Sequence, residues 1–336
     1  MIDLKTKLRI ESSKNRSGKI LNQNLISKLK ESDYYVENQT LDGDAPKQFI
    51  KAYLYKEDSG VLKRNPKTWD AYIAKSAEKW YPHESVVEYM INKIGKKLGL
   101  YINEVELLQI NTQIRFLSKY FLTKNEILVH GAEICGQYID DDEMAAQIAN
   151  DPRSARELFT FEFICEAIRS VFPQPCEDII DQMVKMITFD ALVGNNDRHF
   201  YNWGIITTKK KTGKAPVFAP LYDSARGLLW NKSDANVINY KQIHESGGKK
   251  IINYIDEASP RISIEGNSSI NHFGLIEFLK KQKKEYKVII EQLASPVNES
   301  LVLDMLKEEF YPFFIKERCE LITTIINERF KRVRGI

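Results

Sequence analysis

The sequence predicts an α+β protein of two lobes, a small β-rich N-terminal lobe over residues 1–121 and a larger, mainly helical C-terminal lobe over residues 122–336. Two observations support this prediction. Segments in which apolar and polar side chains alternate, as in half-buried strands, are concentrated before residue 121. From about Leu128 onward the apolar residues recur at helical intervals instead. A chain of 336 residues is long enough for each lobe to have its own core.

The composition is that of an ordinary globular protein and argues against several kinds of partner. Apolar residues make up 43% of the chain and charged residues 28%, and 49 basic against 46 acidic side chains leave a net charge of +3. Such a weak net charge creates no overall field for nucleic acid, so we expect no direct nucleic-acid contact. No stretch approaches the roughly 20 apolar residues that cross a bilayer, so we expect no membrane association.

The N-terminus and the cysteines favour a cytoplasmic location. The first residues lack the apolar core of a secretory signal peptide. The four cysteines are scattered along the chain without a Cys-x-x-Cys pair, which suits reduced thiols better than a disulfide framework or a zinc site. We therefore expect a soluble, cytoplasmic protein.

The N-terminal lobe begins with a polar segment and a turn cluster. The pattern around Leu21–Leu29 predicts a helix. Residues 40–47 contain glycine and proline and lead into Gln48–Tyr55, where alternation predicts a strand. A glycine turn before a strand can present backbone N–H groups to phosphates, so Gly43 and Lys47 are candidate nucleotide-binding residues. Taken alone, such a turn is more often a plain connection.

A lysine on a strand and a glutamate on the following helix form a second candidate feature. The segment Asp70–Lys75 predicts a short strand that ends in the lysine. Pro82 and Glu84 open a predicted helix, and Glu88 lies beside its apolar stripe. In kinases such a pair positions the α- and β-phosphates. The alternative is two unrelated surface charges, and the motif downstream favours the functional interpretation.

A predicted hairpin places the candidate hinge between the lobes. Val105–Ile110 and Gln113–Phe121 are apolar-rich runs joined by two turn residues. The second run should end near the connection between the lobes, where adenine would bond to the backbone around Ser118 and Phe121. This placement follows from the order of the elements alone.

The C-terminal lobe is predicted to consist of helices interrupted by one hairpin. Apolar stripes predict helices over Ser154–Val171 and Glu177–Leu192, and Gly194 ends the second. Trp203–Thr208 and Ala215–Leu221 flank a lysine-rich turn and predict the hairpin.

The remainder of the chain divides into a polar segment and a final run of helices. In a kinase an activation or substrate-binding segment would lie within residues 224–270, and an ordinary insertion loop is the alternative. Helical patterns then occupy Ile276–Leu279, Val288–Leu293, Leu301–Phe310 and Ile315–Phe330.

The strongest feature of the sequence is the stretch Asn195–Gly204 together with Leu221–Ser224. Asp197 precedes Asn202 by five positions, and Asp223 follows 21 positions later, behind the predicted hairpin. This is the arrangement of kinase-type phosphoryl transfer. The Asp-x-x-x-x-Asn spacing alone would occur often by chance. The order of glycine turn, strand lysine, helix glutamate, loop and second aspartate gives it weight.

These residue types suit the chemistry of phosphoryl transfer, which consists mainly of positioning and charge neutralisation. Magnesium prefers hard oxygen ligands, which Asn202 and Asp223 supply as candidate metal ligands. Lys75 adds a positive charge for the phosphates, and Asp197 can orient the incoming hydroxyl and accept its proton. The candidate catalytic residues are therefore Asp197, Lys75 and Glu88.

Three neighbouring side chains have weaker claims to a function. Arg198 could pair with a carboxylate or a phosphate through its planar fork. For His199 a packed side chain bonded to the loop backbone is favoured over a base or a metal ligand. Asp190 is expected to have a structural role at the end of its helix.

The stretch Asn195–Gly204, with Ala219–Asp223, resembles the HipA-like serine/threonine kinases. Val87–Met90 followed by Leu98–Leu100 is similar to the lobe helix of that family, and Gly43–Lys47 resembles its phosphate-binding loop more loosely. The Asp-Arg-His-x-x-Asn core is also similar to phosphatidylinositol kinases, which however carry Asp-Phe-Gly where this chain has Tyr-Asp-Ser.

The resemblance covers roughly residues 40–330 and implies a bilobed protein-kinase-like fold, ATP and Mg²⁺ as cofactors, and a protein substrate with a Ser or Thr acceptor. It makes Asp197 the catalytic aspartate, Asn202 and Asp223 the metal ligands and Lys75 the phosphate lysine. Because little chain precedes the candidate phosphate loop, the protein is more similar to the short, stand-alone CtkA-like members.

Two further expectations follow from the resemblance. Thr40 stands three residues before the loop glycine, where HipA carries an autophosphorylated serine, so its autophosphorylation is a hypothesis. The family also implies a bacterial toxin or effector, delivered to a host cell or held by an antitoxin partner.

Two other functions stay open on the sequence. The protein could be a lipid or small-molecule kinase, or a pseudokinase scaffold that binds partners without transfer. Retention of Lys75, Glu88, Asp197, Asn202 and Asp223 together argues against a scaffold, because a scaffold needs none of them.

Overall fold

The computed structural model of the protein describes residues 17–37, 47–55, 60–77, 79–210 and 213–336. It has the α+β class expected, with a β-sheet in the N-terminal part and helices in the C-terminal part. Within the described ranges the larger sheet has six strands in the order β1-β5-β6-β4-β3-β2. These strands are β1 Lys28–Leu29, β2 Tyr34–Glu37, β3 Lys47–Ala52, β4 Asp70–Lys75, β5 Val105–Ile110 and β6 Gln113–Lys119.

Alternation of side chains explains how this sheet forms its core. Ile50 and Ala52 on β3 pack with Tyr72 and Ala74 on β4, and all four are fully buried. The strands pair antiparallel throughout, except that β1 pairs parallel with β5. The strand predicted over Gln48–Tyr55 is therefore confirmed, although it begins and ends earlier.

The first long helix, α1 (His83–Lys97), covers one face of the sheet by packing on β5 and β6. Val87, Met90, Ile91 and Ile94 form its fully buried stripe. The inner face of this helix lies against the sheet. Glu88 is also buried, and its carboxylate accepts a hydrogen bond from Lys75 at the end of β4.

A smaller sheet joins the two parts of the chain. In the described residues it has the order β7-β8-β9, with β7 at Glu126–His130, β8 at Gly204–Thr208 and β9 at Val217–Phe218. The predicted hairpin is confirmed as β8 and β9, and it returns the chain to Asp223. Gly204 is required on β8, because a Cβ there would lie 2.4 Å from the carbonyl oxygen of Val129.

Four other helices of the C-terminal part pack on α6 (Cys176–Val193), whose apolar side chains are almost all buried. Gly194 ends α6 in the left-handed conformation, with φ 70°. The helices after α1 are α2 Gly131–Ile139, α3 Asp142–Asn150, α4 Pro152–Leu158, α5 Phe161–Val171, α6 Cys176–Val193, α7 Asp234–Glu245, α8 Lys250–Glu257, α9 His272–Gln282, α10 Lys284–Leu293, α11 Pro296–Met305 and α12 Lys316–Gly335.

Three predictions about these elements need correction. The helix around Leu21–Leu29 is wrong: a 3₁₀ turn at Gln23–Leu25 precedes β1, whose backbone pairs with β5. The helix over Ser154–Val171 is two helices, because Thr160 caps α5 by accepting a hydrogen bond from Phe163 N–H. The polar segment 224–270 is not simply a loop, since it contains α7 and α8.

Three further sequence predictions concern the chain as a whole. None of the helices in the described ranges is long and apolar enough to span a bilayer. All four cysteines lie in those ranges and form no disulfide. The lobe boundary at residue 121 falls between β6 and β7 and stays a prediction.

Candidate active site

Lys75, Glu88 and Asp223 meet at the end of β4. The Lys75 ammonium donates to Glu88 Oε1 at 2.8 Å and to Asp223 Oδ1 at 2.5 Å. The three side chains come from a strand, a helix and the loop after β9, so only the tertiary structure brings them together. Lys75 and Glu88 are 13% and 5% exposed, whereas Asp223 is 35% exposed and open to a ligand.

Lys75 and Asp223 hold each other ionised. Burial alone would lower the pKa of Lys75, but the carboxylates of Asp223 and Glu88 outweigh it and raise the pKa. Burial alone would raise the pKa of Asp223, but the Lys75 ammonium outweighs it and lowers the pKa to about 2. For Glu88 the effect of burial is larger than that of the Lys75 charge, so its pKa is raised. Asp223 is therefore a carboxylate at neutral pH, ready to bind a cation.

Arg198 fixes the loop that carries Asp197. Its guanidinium bonds Asp190 through both carboxylate oxygens, at 2.9 and 3.0 Å, and both side chains are almost fully buried. It also donates to the carbonyl oxygens of Asn202 and Tyr222, at 3.1 and 2.6 Å. This bidentate pair ties the end of α6, the loop after it and the segment before Asp223 into one unit. Asp190 thus has the structural role expected for it.

Asn202 turns back onto the same loop. Its amide nitrogen donates to the carbonyl oxygen of Asp197 at 2.8 Å, which leaves its own carbonyl oxygen for a ligand. Asp223 has φ 54°, a left-handed conformation that aspartate tolerates better than most residues. Its Oδ1 atom bonds Lys75 and its second oxygen remains for a cation.

The side-chain oxygens of Asn202 and Asp223 are of the hard type that magnesium prefers, so their chemistry fits this ion. Mg²⁺ is usually held by one or two protein oxygens together with phosphates and water, rather than by a cage of side chains. The described part of the chain contains no group of three or more His, Cys, Asp or Glu side chains that could hold a metal ion.

Two arginines that the sequence did not single out hold the carboxylate of Asp197. Arg226 Nε lies 2.9 Å from Oδ2, and Arg261 Nη2 donates to Oδ1 at 3.0 Å. Arg226 follows Asp223 by three positions, and Arg261 lies after α8 in the segment predicted to bind substrate. No spacing rule relates either of them to Asp197, so the contact is visible only in the folded chain.

His199 is packed against its own loop. Its Nδ1 accepts a hydrogen bond from Tyr201 N–H at 3.3 Å, and its ring lies 6.3 Å from the Tyr201 ring. Burial lowers the pKa of His199, although Asp197 and Asp223 act in the opposite direction. The packed role favoured on the sequence agrees with these contacts.

The candidate hinge residues differ in what they contact. The Ser118 hydroxyl accepts a hydrogen bond from Asn103 Nδ2 at 2.8 Å, so this side chain is already engaged. The Phe121 ring lies 5.8 Å from that of Tyr222, the residue next to Asp223. Adenine binding by the backbone around Ser118 and Phe121 stays a prediction.

The candidate phosphate loop is only partly described. Gly43 and Thr40 lie outside the described residues. Lys47 begins β3 directly opposite Lys75, and its charge contributes to the lowered pKa of Asp223. Lys47 therefore lies on the side of the cluster where phosphates are predicted to bind.

A cavity lined in part by α6 lies away from these groups. It measures about 820 Å³ and is lined by α6, by the residues around β9 and by Leu100 and Tyr101. None of the predicted site residues lines it.

A sheet lysine paired with a helix glutamate, and a loop with Asp and Asn five positions apart before a second Asp, define a protein of the kinase-like fold. The family model of the HipA-like C-terminal domain matches residues 40–300. The chain belongs to this family.

Solved structures agree with that fold. The crystal structure of CtkA, a proinflammatory kinase of Helicobacter pylori, superposes with a TM-score of 0.65 at 16% identity and covers 85% of this chain and 93% of its own. HipA of Shewanella oneidensis MR-1, solved as a toxin–antitoxin complex with HipB and operator DNA, gives a TM-score of 0.54 at 12% identity, covering 99% of this chain and 71% of its own. No curated protein sequence matches the chain.

Proposed function

We propose that this protein is an ATP- and magnesium-dependent protein kinase that phosphorylates serine or threonine. The observation that carries the proposal is the cluster of Lys75, Glu88 and Asp223, which is linked through Arg198 to the loop of Asp197 and Asn202. Five side chains from four separate parts of the chain, of the types that phosphoryl transfer uses, support the proposal.

Each of these groups has a role that follows from its chemistry. Lys75, oriented by Glu88, binds phosphate oxygens through its ammonium donors. Asp223 and Asn202 would hold magnesium, which when bound neutralises charge on the phosphates. Asp197 accepts the proton of the acceptor hydroxyl, a contribution typically of about 10²–10⁴ in rate. Arg198 does not touch the substrates but positions this loop.

Labelled ATP tests the proposal directly. We expect the wild-type chain to transfer phosphate to itself or to a lysate protein, and the variants Asp197→Ala and Asp223→Ala to lose transfer by at least about 100-fold. Arg153→Gln, a change at an exposed residue of α4, is the control and should label normally. Wild-type labelling by either aspartate variant would show that the site is misassigned. Nucleotide binding without transfer by the wild type would favour the pseudokinase scaffold.

The finer biological role extends the proposal. A toxin or effector function and an antitoxin-like partner are suggested by the Shewanella HipA complex with HipB. Unpaired cysteines agree with a reducing, cytoplasmic location. Autophosphorylation at Thr40 is tested by mass spectrometry after incubation with ATP, and an unmodified Thr40 would remove that part of the proposal.

A further inference from the structure

Asp197 is covered by positive charge in the described structure. Arg226 occupies Oδ2 and Arg261 occupies Oδ1, although the acceptor hydroxyl must come within about 3 Å of one of these oxygens. A guanidinium that turns aside leaves one of these oxygens free to accept from the hydroxyl, and its own donors are then free for another anion.

Arg261 differs from Arg226 in what else its side chain meets. The guanidinium of Arg226 lies 5.2 Å from the Trp230 ring. Arg261 lines a cavity together with a second guanidinium, that of Arg156. In the described residues the ion pairs of Arg261 are confined to Asp197. Of the two arginines, Arg261 is therefore the one beside a place for a further anion.

A second observation marks a place for that anion. The Arg261 Nε atom is buried and has no hydrogen-bond partner in the part of the chain that the structure describes. Arg261 and Asn196, next to the candidate catalytic aspartate, line a cavity of about 280 Å³ together with Arg156, Ser259, Pro260 and Ser269. The side chains around this cavity bring guanidinium and amide donors and no carboxylate.

The backbone beneath Arg261 is firmly held. Arg156 donates to the carbonyl oxygens of Ser268 and Ile270, both at 2.6 Å, and to that of Pro260. The carbonyl oxygen of Ser263 accepts from the Phe161 N–H at 2.9 Å. These partners of Arg156 are neutral carbonyl oxygens, so its positive charge adds to that of Arg261.

We propose that Arg261 and Asn196 form a subsite for an acidic side chain of the protein substrate, which deepens the proposed function and rests on it. Binding of that carboxylate draws Arg261 from Oδ1 of Asp197 and frees the oxygen for the acceptor hydroxyl. The substrate carboxylate and the carboxylate of Asp197 are then separated by little more than the Arg261 guanidinium. Consecutive Cα atoms of the substrate are about 3.8 Å apart. The acidic residue therefore lies within about two positions of the acceptor.

Matched peptides test the subsite. Serine peptides with Glu at one of the two positions on either side of the acceptor are compared with the same peptides carrying Gln. We expect the best Glu peptide to exceed its Gln partner about 10-fold in kcat/KM, as for a charged hydrogen bond. Arg261→Gln should remove this preference and Arg261→Lys should keep part of it, while Arg153→Gln should retain it.

The outcomes separate the subsite from the function on which it rests. Equal use of Glu and Gln peptides by the wild type, or a preference that survives Arg261→Gln, would overturn the subsite and leave the kinase in place. An equal loss on both peptides in Arg261→Gln would also overturn it, because Arg261 would then act only through Asp197. Absence of all transfer would remove both proposals.

A binding measurement provides an independent readout. In Asp197→Asn the arginine loses its internal carboxylate, so fluorescence anisotropy should show tighter binding of a labelled Glu peptide and unchanged binding of the Gln peptide. Weaker or unchanged binding of the Glu peptide would contradict the exchange of anions.

Discussion

Two arginine–aspartate contacts on the same loop differ in nearly every physical respect. Arg198 and Asp190 are 3% and 4% exposed and bond through both carboxylate oxygens. The arginines on Asp197 are 37% and 25% exposed, each bonding a different oxygen. The Arg198–Asp190 contact is closed to solvent, so neither water nor a ligand can replace one of its partners, and the contact is structural. The second is open to water and to ligands, so its partners can exchange.

The largest effect is expected from breaking the buried contact. Asp190→Ala leaves the Arg198 charge buried without its carboxylate, which should lower the free energy of unfolding by about 3–5 kcal/mol. Denaturant unfolding measures it. Glu177→Ala is the control, because Glu177 and Arg169 form a pair that is 54% and 42% exposed and should cost at most about 1 kcal/mol. Equal losses in the two variants would erase the distinction between the contacts.

An intermediate effect is expected at Glu84, a second carboxylate that faces Arg226. Burial and then Glu88 raise its pKa to about 7, although Arg226 and Lys75 oppose the shift and Asp223 adds to it. The folded state thus binds this proton more tightly than the unfolded state, whose pKa is near 4.5. This contribution to stability is fully present below about pH 4.5 and is lost as the pH rises through about 7, by about 3 kcal/mol.

Glu84→Gln should therefore unfold less readily than the wild type at pH 8 and equally readily at pH 4. Unfolding curves at several pH values measure the difference. Glu143→Gln, at an exposed acid in the first turn of α3, should retain the wild-type pH dependence. A pH-independent difference between Glu84→Gln and the wild type would contradict the titration of Glu84 in this range.

The smallest effect is expected from removing Arg226. Its guanidinium lies 5.2 Å from the Trp230 ring and is 37% exposed, so Arg226→Gln should change the free energy of unfolding by no more than about 1 kcal/mol. Chemical denaturation of Arg226→Gln and Asp190→Ala under the same conditions compares the two losses in free energy of unfolding. A loss as large as that of Asp190→Ala would show that the Asp197 contacts are structural as well.

Local patterns were sufficient to predict most elements, and they failed where a distant partner decided. The stripe of α1 and the glycine that ends α6 are properties of neighbouring residues, and both were predicted. The helix predicted for Leu21–Leu29 was wrong because the end of this segment pairs with β5, about 80 positions away, and local patterns do not show such pairing. The break at Thr160 was missed because long apolar runs conceal a single capping residue.

The sequence by itself determined the order of the candidate site: a strand lysine, a helix glutamate, and a loop with Asp and Asn ahead of a second Asp. That order is a local property, since each residue is recognised by its type and its spacing. Only the tertiary structure decided what surrounds the carboxylate of Asp197. Arg226 and Arg261 reach it 29 and 64 positions further along the chain, and contacts closed by packing over such distances leave no periodic trace in the sequence.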